Sequence, residues 1–193
     1  MNKLLLAAAA AIAFTAPAQA ATIVVNAQGN SSSGGVGAFA GNFNLGDLFT
    51  VSVASTDLWN AGDLPRWSNA NGIDGPDLFA TGSDDSGQAA GTLIGRDQFG
   101  DHTQNGLTSP FGSLVGLMGS EYRFIGTSFN GAAWASGSLQ LFYWDSNAGD
   151  NTQFISAQVT AVPEPATWAM LITGFGLTGT ALRRRPKVSV RFA

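Results

Sequence analysis

Cysteine is absent from the 193 residues. That excludes disulfide staples, thiol catalysis and thiolate metal sites together, so an exported domain in this chain must be stabilised by burial, with a bound ion as the natural supplement. Histidine occurs once, at His102, and no Ser-His-Asp order stands out around it. Lysine is missing from residues 21–161, where eleven Asp and one Glu face only Arg66, Arg96 and Arg123. Nine excess negative charges repel phosphate backbones, so nucleic acid is not an expected partner, while oxygen ligands for a hard cation are plentiful. The same stretch lacks a helical period.

What is present is concentrated first at the two ends. The N-terminal "MNKLLLAAAAAIAFTAPAQA" has Lys3, an apolar run from Leu4 to Phe14 and a small-residue site at Ala18-Gln19-Ala20. These are the three parts of a secretory signal peptide over residues 1–20, with cleavage expected after Ala20. At the other end, Pro163 and Pro165 interrupt regular structure and set off residues 162–193 as a separate unit. Residues 166–182 carry no charge, and Arg183, Arg184, Arg185, Lys187 and Arg191 follow. Seventeen helical residues reach about 26 Å, slightly short of a hydrocarbon core of roughly 30 Å. Trp168 at one interface and snorkelling arginines at the other extend that reach, so a single C-terminal transmembrane helix with a cytoplasmic basic flank is expected. Gly174, Gly176 and Gly179 spell G-x-G-x-x-G within this span, but only fourteen residues follow Gly179. A crossover helix, a second strand and the ribose-binding acid of a dinucleotide site are not expected in that length. The glycines instead make a smooth helix flank in a bilayer.

Val162-Pro163-Glu164-Pro165, Trp168-Ala169-Met170, the Gly-rich span and Arg183-Arg184-Arg185 together resemble the PEP-CTERM protein-sorting signal in its PEPxxWAML form. The resemblance implies export, transient anchoring in the inner membrane, and recognition by an exosortase, a membrane cysteine transpeptidase. That enzyme removes the tail and passes the protein to the cell surface or the exopolysaccharide matrix. Glu164 between its two prolines is then the recognition core and has no catalytic part. The extension "PKVSVRFA" after the arginines is longer than the family's usual ending.

Residues 21–161 read as short β-type runs separated by Gly, Asn, Asp and Ser. "LFTVSVAS" puts Phe49, Val51 and Val53 on one face, "GSLQLFYW" puts Leu139, Leu141 and Tyr143 together, and "TQFISAQVTAV" groups Ile155, Ala157 and Val159. With "TIVVNA", "GSLVGLMG" and "EYRFIGTSF" this gives at least six strands at the spacing of an all-β sandwich. Residues 62–108, rich in Gly, Asp and Asn, read as long loops with room for one short strand.

The chemical candidate is "FYWDSNAGDNTQF", which sets Asp145, Asp150 and Asn151 around a Gly-containing turn between two strands. Three oxygen-bearing side chains and the turn's carbonyls can converge there, and Ca²⁺, with six to eight oxygens in flexible geometry, suits them better than Mg²⁺. The same residue types equally make an ordinary hairpin turn. "NLGDLFTVSVASTDLW", "RWSNANG" and the run from Phe111 to Phe154 are similar in order and spacing to the calcium-dependent galactose-binding bacterial lectins of the PA-I type. This resemblance implies a jelly-roll-like β-sandwich. It also implies Ca²⁺ ligation by Asp145, Asp150 and Asn151, by the Trp59 backbone carbonyl and by a loop carbonyl of Ala148 or Gly149. Asp145 and Asp150 would contact sugar as well, and His102 is the chain's one counterpart of the family's sugar-binding His. The loop is two residues shorter than in those lectins, and Asp150 stands where they have Asn. Trp59, Trp67, Trp134 and Trp144 are candidates for stacking on sugar faces or for core packing.

The expected function is an exported, exosortase-sorted envelope or matrix protein that holds exopolysaccharide through a Ca²⁺-assisted site, or a purely adhesive surface protein without sugar binding. A glycan-active enzyme would need two carboxylates about 5–9.5 Å apart with divergent pKa values. Asp84/Asp85 and Asp97/Asp101 are the pairs available, and adjacent aspartates in a Gly-rich loop do not suggest such burial. No enzymatic activity is expected.

Overall fold

The computed structural model describes residues 20–96, 99–162 and 171–179. Most of the expected signal peptide, Asp97, the Pro163-Glu164-Pro165 motif and Arg183, Arg184 and Arg185 lie outside the described residues.

Fourteen strands follow one another in residues 20–162. They are β1 (Ala20–Asn26), β2 (Ala38–Phe43), β3 (Leu48–Ser52), β4 (Trp59–Asn60), β5 (Trp67–Ser68), β6 (Leu78–Phe79) and β7 (Leu93–Gly95), then β8 (Asp101–Gln104), β9 (Leu107–Pro110), β10 (Leu114–Met118), β11 (Glu121–Phe124), β12 (Ser128–Ala132), β13 (Gly137–Tyr143) and β14 (Phe154–Ala161). Eight of them form two four-stranded antiparallel sheets, ordered β1-β14-β3-β12 and β11-β10-β13-β2. First strand pairs with last, second with second-last, and among these eight the chain changes sheet at every step except the β10–β11 hairpin. Val25, Phe49, Val51, Ile155, Ala157 and Val159 from the first sheet meet Leu114, Met118, Leu139, Leu141 and Tyr143 from the second in one buried cluster. This is an all-β sandwich, and the period-2 alternation of its strands is its cause. The faces expected for β3, β13 and β14 are the buried ones.

Three departures from the sequence pattern have physical reasons. "EYRFIGTSF" is two strands, because Gly126 takes φ +66° between β11 and β12 and the chain there leaves one sheet for the other. Strand β2 escapes the pattern because "AFAGNF" buries only Ala40 and Phe43. Residues 62–108 hold β5 to β8 and part of β9, and their Trp67, Ala80 and Ile94 form a second small core with Leu58. Strands of two to four residues are too short to display a period, so composition there suggests only loop. The β8–β9 hairpin covers the outer face of the β10-containing sheet, where Val115, Phe142 and Trp144 pack with Leu107 and Tyr122. That cover explains why Phe142 is buried on the face opposite Leu141.

Residues 171–179 form a helix, with Ile172, Phe175 and Leu177 exposed. Among the described residues no helix is long and apolar enough to cross a membrane. The expected span of residues 166–182 extends beyond this helix at both ends, into residues outside the described ones.

Truncating the sandwich centre is expected to be costly. Leu141→Ala should remove about 2–5 kcal/mol of stability in chemical denaturation, whereas Val36→Thr at a 77% exposed position should stay within about 0.5 kcal/mol.

Candidate functional site

Strand β13 ends in one sheet at Tyr143 and β14 begins in the other at Phe154, so residues 144–153 bridge the two sheets at one end of the sandwich. The crossing is tightly pinned. Asp145 N–H donates to Ser32 Oγ at 3.1 Å, the Ser33 hydroxyl donates to Ser146 O at 2.7 Å, and Asn60 and Thr152 exchange two backbone bonds of 3.1 Å. Within the crossing, Ala148–Asp150 form a single 3₁₀ turn capped by Asn147, whose Oδ1 accepts from Gly149 N at 3.1 Å and whose Nδ2 donates to Asp150 Oδ1 at 2.9 Å. Asn147 thus aims Asp150 by closing the turn.

The bridge and the β4–β5 hairpin enclose a cavity of about 160 Å³, lined by Ala61, Arg66, Phe99 and Phe111 on one side and by Asp145, Ser146, Asn147 and Asp150 on the other. Pockets for drug-sized ligands run roughly 300–1,000 Å³, so this one has the scale of an ion with part of its shell or of one small polar group. Asp145 lies at its base, only 5% exposed. One carboxylate oxygen, Oδ1, accepts from Ser146 N–H at 2.7 Å, whereas Oδ2 is buried without a hydrogen-bond partner. Asn151 repeats the situation at 3% exposure: its Nδ2 donates to Ala27 O at 3.2 Å, and its buried Oδ1 has no partner. The Tyr143 hydroxyl is a third such atom.

Buried polar atoms in folded proteins are almost always paired, and each orphan costs about 1–3 kcal/mol, more for a charge. Burial raises the Asp145 pKa from its ordinary value of 3.8, opposed by the N–H of Ser146, the Asn151 side chain and the N–H of Asn147, with the Asp150 charge adding to the rise. Burial, together with the charges of Asp145 and Asp150, also pushes the Tyr143 phenol well above its usual range. Tyr143 is held edge-on to Trp59 at 4.5 Å. The donor set is carboxylate, carboxamide and carbonyl oxygen, the chemistry of a hard cation. Among the described residues no three His, Cys, Asp or Glu side chains gather elsewhere or here; the convergence depends on Asn151, an amide.

The remaining expected site residues are distributed as follows. Gly149 is exposed in the 3₁₀ turn. Trp59 is fully buried, donates from Nε1 to Gly112 O at 2.8 Å and pairs with Ser68 across β4–β5. The nearby residue that reaches the cavity is Ala61, just past the end of β4. His102 lies on β8, stacked near Phe111 at 5.1 Å and Trp144 at 5.6 Å, and is not one of the lining residues. Trp144 and Trp67 are buried in cores and have no face free for a ligand. The aromatic wall of the cavity comes instead from Phe99 and Phe111, packed edge-to-face at 5.5 Å. Asp84 serves its own turn, accepting from Thr81 and Ser86, which lowers its pKa to about 2. Asp85 Oδ2 accepts from Leu58 N–H at 3.0 Å.

Sequence reasoning did not single out Arg66, Phe99, Phe111 or Asn147. For Arg66 a signal existed, since it is one of three basic residues in an otherwise acidic, lysine-free stretch. The aromatics gave none. Arg66 Nη1 stands 3.7 Å from Asp150 Oδ2, and its guanidinium lies over the Phe99 ring at 5.4 Å. Gly62, at φ +111°, has no room for a side chain, because a Cβ there would lie 2.5 Å from Asp150 Oδ2. Gly62→Ala should therefore displace Asp150 and lower the melting temperature by several degrees. Gly46→Ala, also at positive φ but with open space around it, measures the backbone part of that loss alone.

A comparison with curated proteins finds no match to this chain. A family model does match its tail: residues 161–185 fit the PEP-CTERM protein-sorting motif. The chain therefore carries the sorting signal of exported, exosortase-processed surface proteins.

Proposed function

We propose that this protein is a surface or matrix component whose β-sandwich binds Ca²⁺ and, through it, extracellular polysaccharide. Its tail anchors it in the inner membrane by the helix around residues 171–179 until exosortase cuts it away. The observation that carries the reading is the pair of buried, unpartnered oxygens, Asp145 Oδ2 and Asn151 Oδ1, in a bridge whose neighbouring carboxylate is Asp150. The strand order β1-β14-β3-β12 against β11-β10-β13-β2 is that of a jelly roll, an architecture common among lectin domains. It supports the resemblance to PA-I-type lectins.

In this reading Asp145, Asp150 and Asn151 hold the ion, with carbonyl oxygen from the cavity wall. When bound, Ca²⁺ supplies charge that offsets the buried carboxylate and open coordination positions for sugar hydroxyls. This chain's own residues order the site: Trp59 and Tyr143 pack together in the core beneath the bridge, and Asn147 fixes the turn.

Calcium binding is checked by thermal denaturation of the full chain. At a hundredfold excess over Kd, Ca²⁺ should add about 2.7 kcal/mol, an upward shift of several degrees. Asp145→Asn should abolish the shift while leaving the calcium-free protein at least as stable, because it removes a buried charge of the same shape. No shift in the parent chain contradicts the reading.

The pH dependence has a definite sign. Folding raises the Asp145 pKa, so the burial penalty is present above the folded pKa and relieved as pH falls through it. Calcium-free protein should gain more stability on acidification at pH values still above 3.8 than Asp145→Asn does, and calcium-loaded protein should lose its ion over the same window. Asp57, whose pKa burial also raises, contributes the same sign in both proteins and cancels in the comparison.

For the tail, mass spectrometry of the chain expressed in an exosortase-bearing host should show loss of the segment after the Pro163-Glu164-Pro165 motif, and Glu164→Ala should leave it uncut. An intact tail in the parent chain contradicts the sorting role.

A further inference from the structure

The cavity lined by Asp145 also contains a cation of the protein's own. Arg66 is 39% exposed, and its contacts are loose: 3.7 Å to Asp150 Oδ2, 3.5 Å from Nη1 to Ala61 O, and a ring face at 5.4 Å. A guanidinium has five N–H donors in a planar fork, matched to a carboxylate. Arg123 shows what a satisfied arginine looks like in this chain, with Nε 2.7 Å from Glu121 Oε1 and its guanidinium over Trp134. Arg66 has no contact of that quality. It faces a half-open space beside two edge-to-face phenylalanines, an apolar wall on which a sugar ring can lie.

Charge arithmetic selects the ligand. Asp145 and Asp150 contribute two negative charges to the cavity and Arg66 one positive charge. The walls alone carry −1 and repel an anion; with one divalent cation seated they carry +1. A neutral sugar would leave that charge and the guanidinium fork unanswered in a partly dry site, whereas a monoanionic sugar answers both.

We propose that the cavity mouth takes a uronic acid residue of an acidic polysaccharide, its carboxylate on Arg66 and its ring against Phe99 and Phe111. The inference rests on the cation reading of the deeper site, since without the ion the walls are net negative. Arg66 is a specificity-determining residue in this arrangement, and Ca²⁺ and the acidic sugar bind cooperatively.

Calorimetry on the full chain tests it with galacturonate, its methyl ester and galactose, each with saturating Ca²⁺ and with chelator. Galacturonate should bind about tenfold more tightly than the two neutral sugars when Ca²⁺ is present, and the preference should vanish with chelator. Arg66→Met should erase the preference while keeping the Ca²⁺-induced thermal shift, which shows the variant folded and loaded. Equal affinities with the thermal shift intact overturn the uronate inference alone; no binding of any of the three with the shift intact overturns it together with the sugar-binding part of the proposed function. Absence of the thermal shift overturns the cation reading and this inference with it. The sugar comparison in the unaltered chain stands without the variant.

Discussion

The structure turns on one nearly buried carboxylate at the foot of a small cavity. Asp145 sits where the chain crosses from one sheet to the other, with one oxygen hydrogen-bonded to the next residue's N–H and the other without a hydrogen bond. A buried charge is tolerated when it is paired, and otherwise the group neutralises by taking a proton. The raised pKa of Asp145 reflects that tension. Its surroundings hold it in place without neutralising it: Ser32 and Ser33 tether the bridge, Thr152 ties it to Asn60, and Asn151 and Tyr143 bring further orphaned oxygens to the same region. Packing alone would have favoured an apolar residue here. Retaining Asp is understandable if a cation completes the site, and a chain without cysteine has a clear use for an ion that ties one sheet to the other.

The sandwich explains why the site lies at this junction. Each of β13 and β14 is an interior strand of its sheet, hydrogen-bonded on both sides, so both ends of the 144–153 bridge are anchored in the most protected part of the fold. The insertion between β3 and β10 contributes the opposite wall through Ala61, Arg66, Phe99 and Phe111. A bridge anchored at both ends in interior strands supplies the carboxylate and the amide, and a loop-rich insertion with its own small core supplies the opposite face. This division is usual where a scaffold holds the ion and loops determine what is recognised.

Much of this was legible in the chain. Alternating apolar residues in "LFTVSV", "SLQLFY" and "FISAQV" predict the faces that are buried, because antiparallel strands with one wet side carry that pattern. Asp145, Asp150 and Asn151 stand out by residue type around a turn, and the structure brings all three to one end of the sandwich. Other features had no local signal. Phe99 and Phe111 become a wall only through the tertiary path of an insertion whose strands are too short to show a period. Trp59 and Trp144 look like ligand platforms in the sequence, yet the core claims them, since large aromatic surface is most stabilising when fully buried. The tail behaved in the opposite way: its motif is a string of residues that needs no fold to be read, and residues 161–185 match the sorting motif on sequence alone.

The central claim is that Asp145 and Asn151 hold a cation. A crystal structure of the protein grown with Ca²⁺ addresses it most directly. The account predicts one strong ion peak bonded to Asp145 Oδ2 and Asn151 Oδ1 at about 2.3–2.6 Å, with Asp150 turned toward it. A water molecule hydrogen-bonded between those oxygens, or the Arg66 guanidinium folded in to meet Asp145, would contradict it.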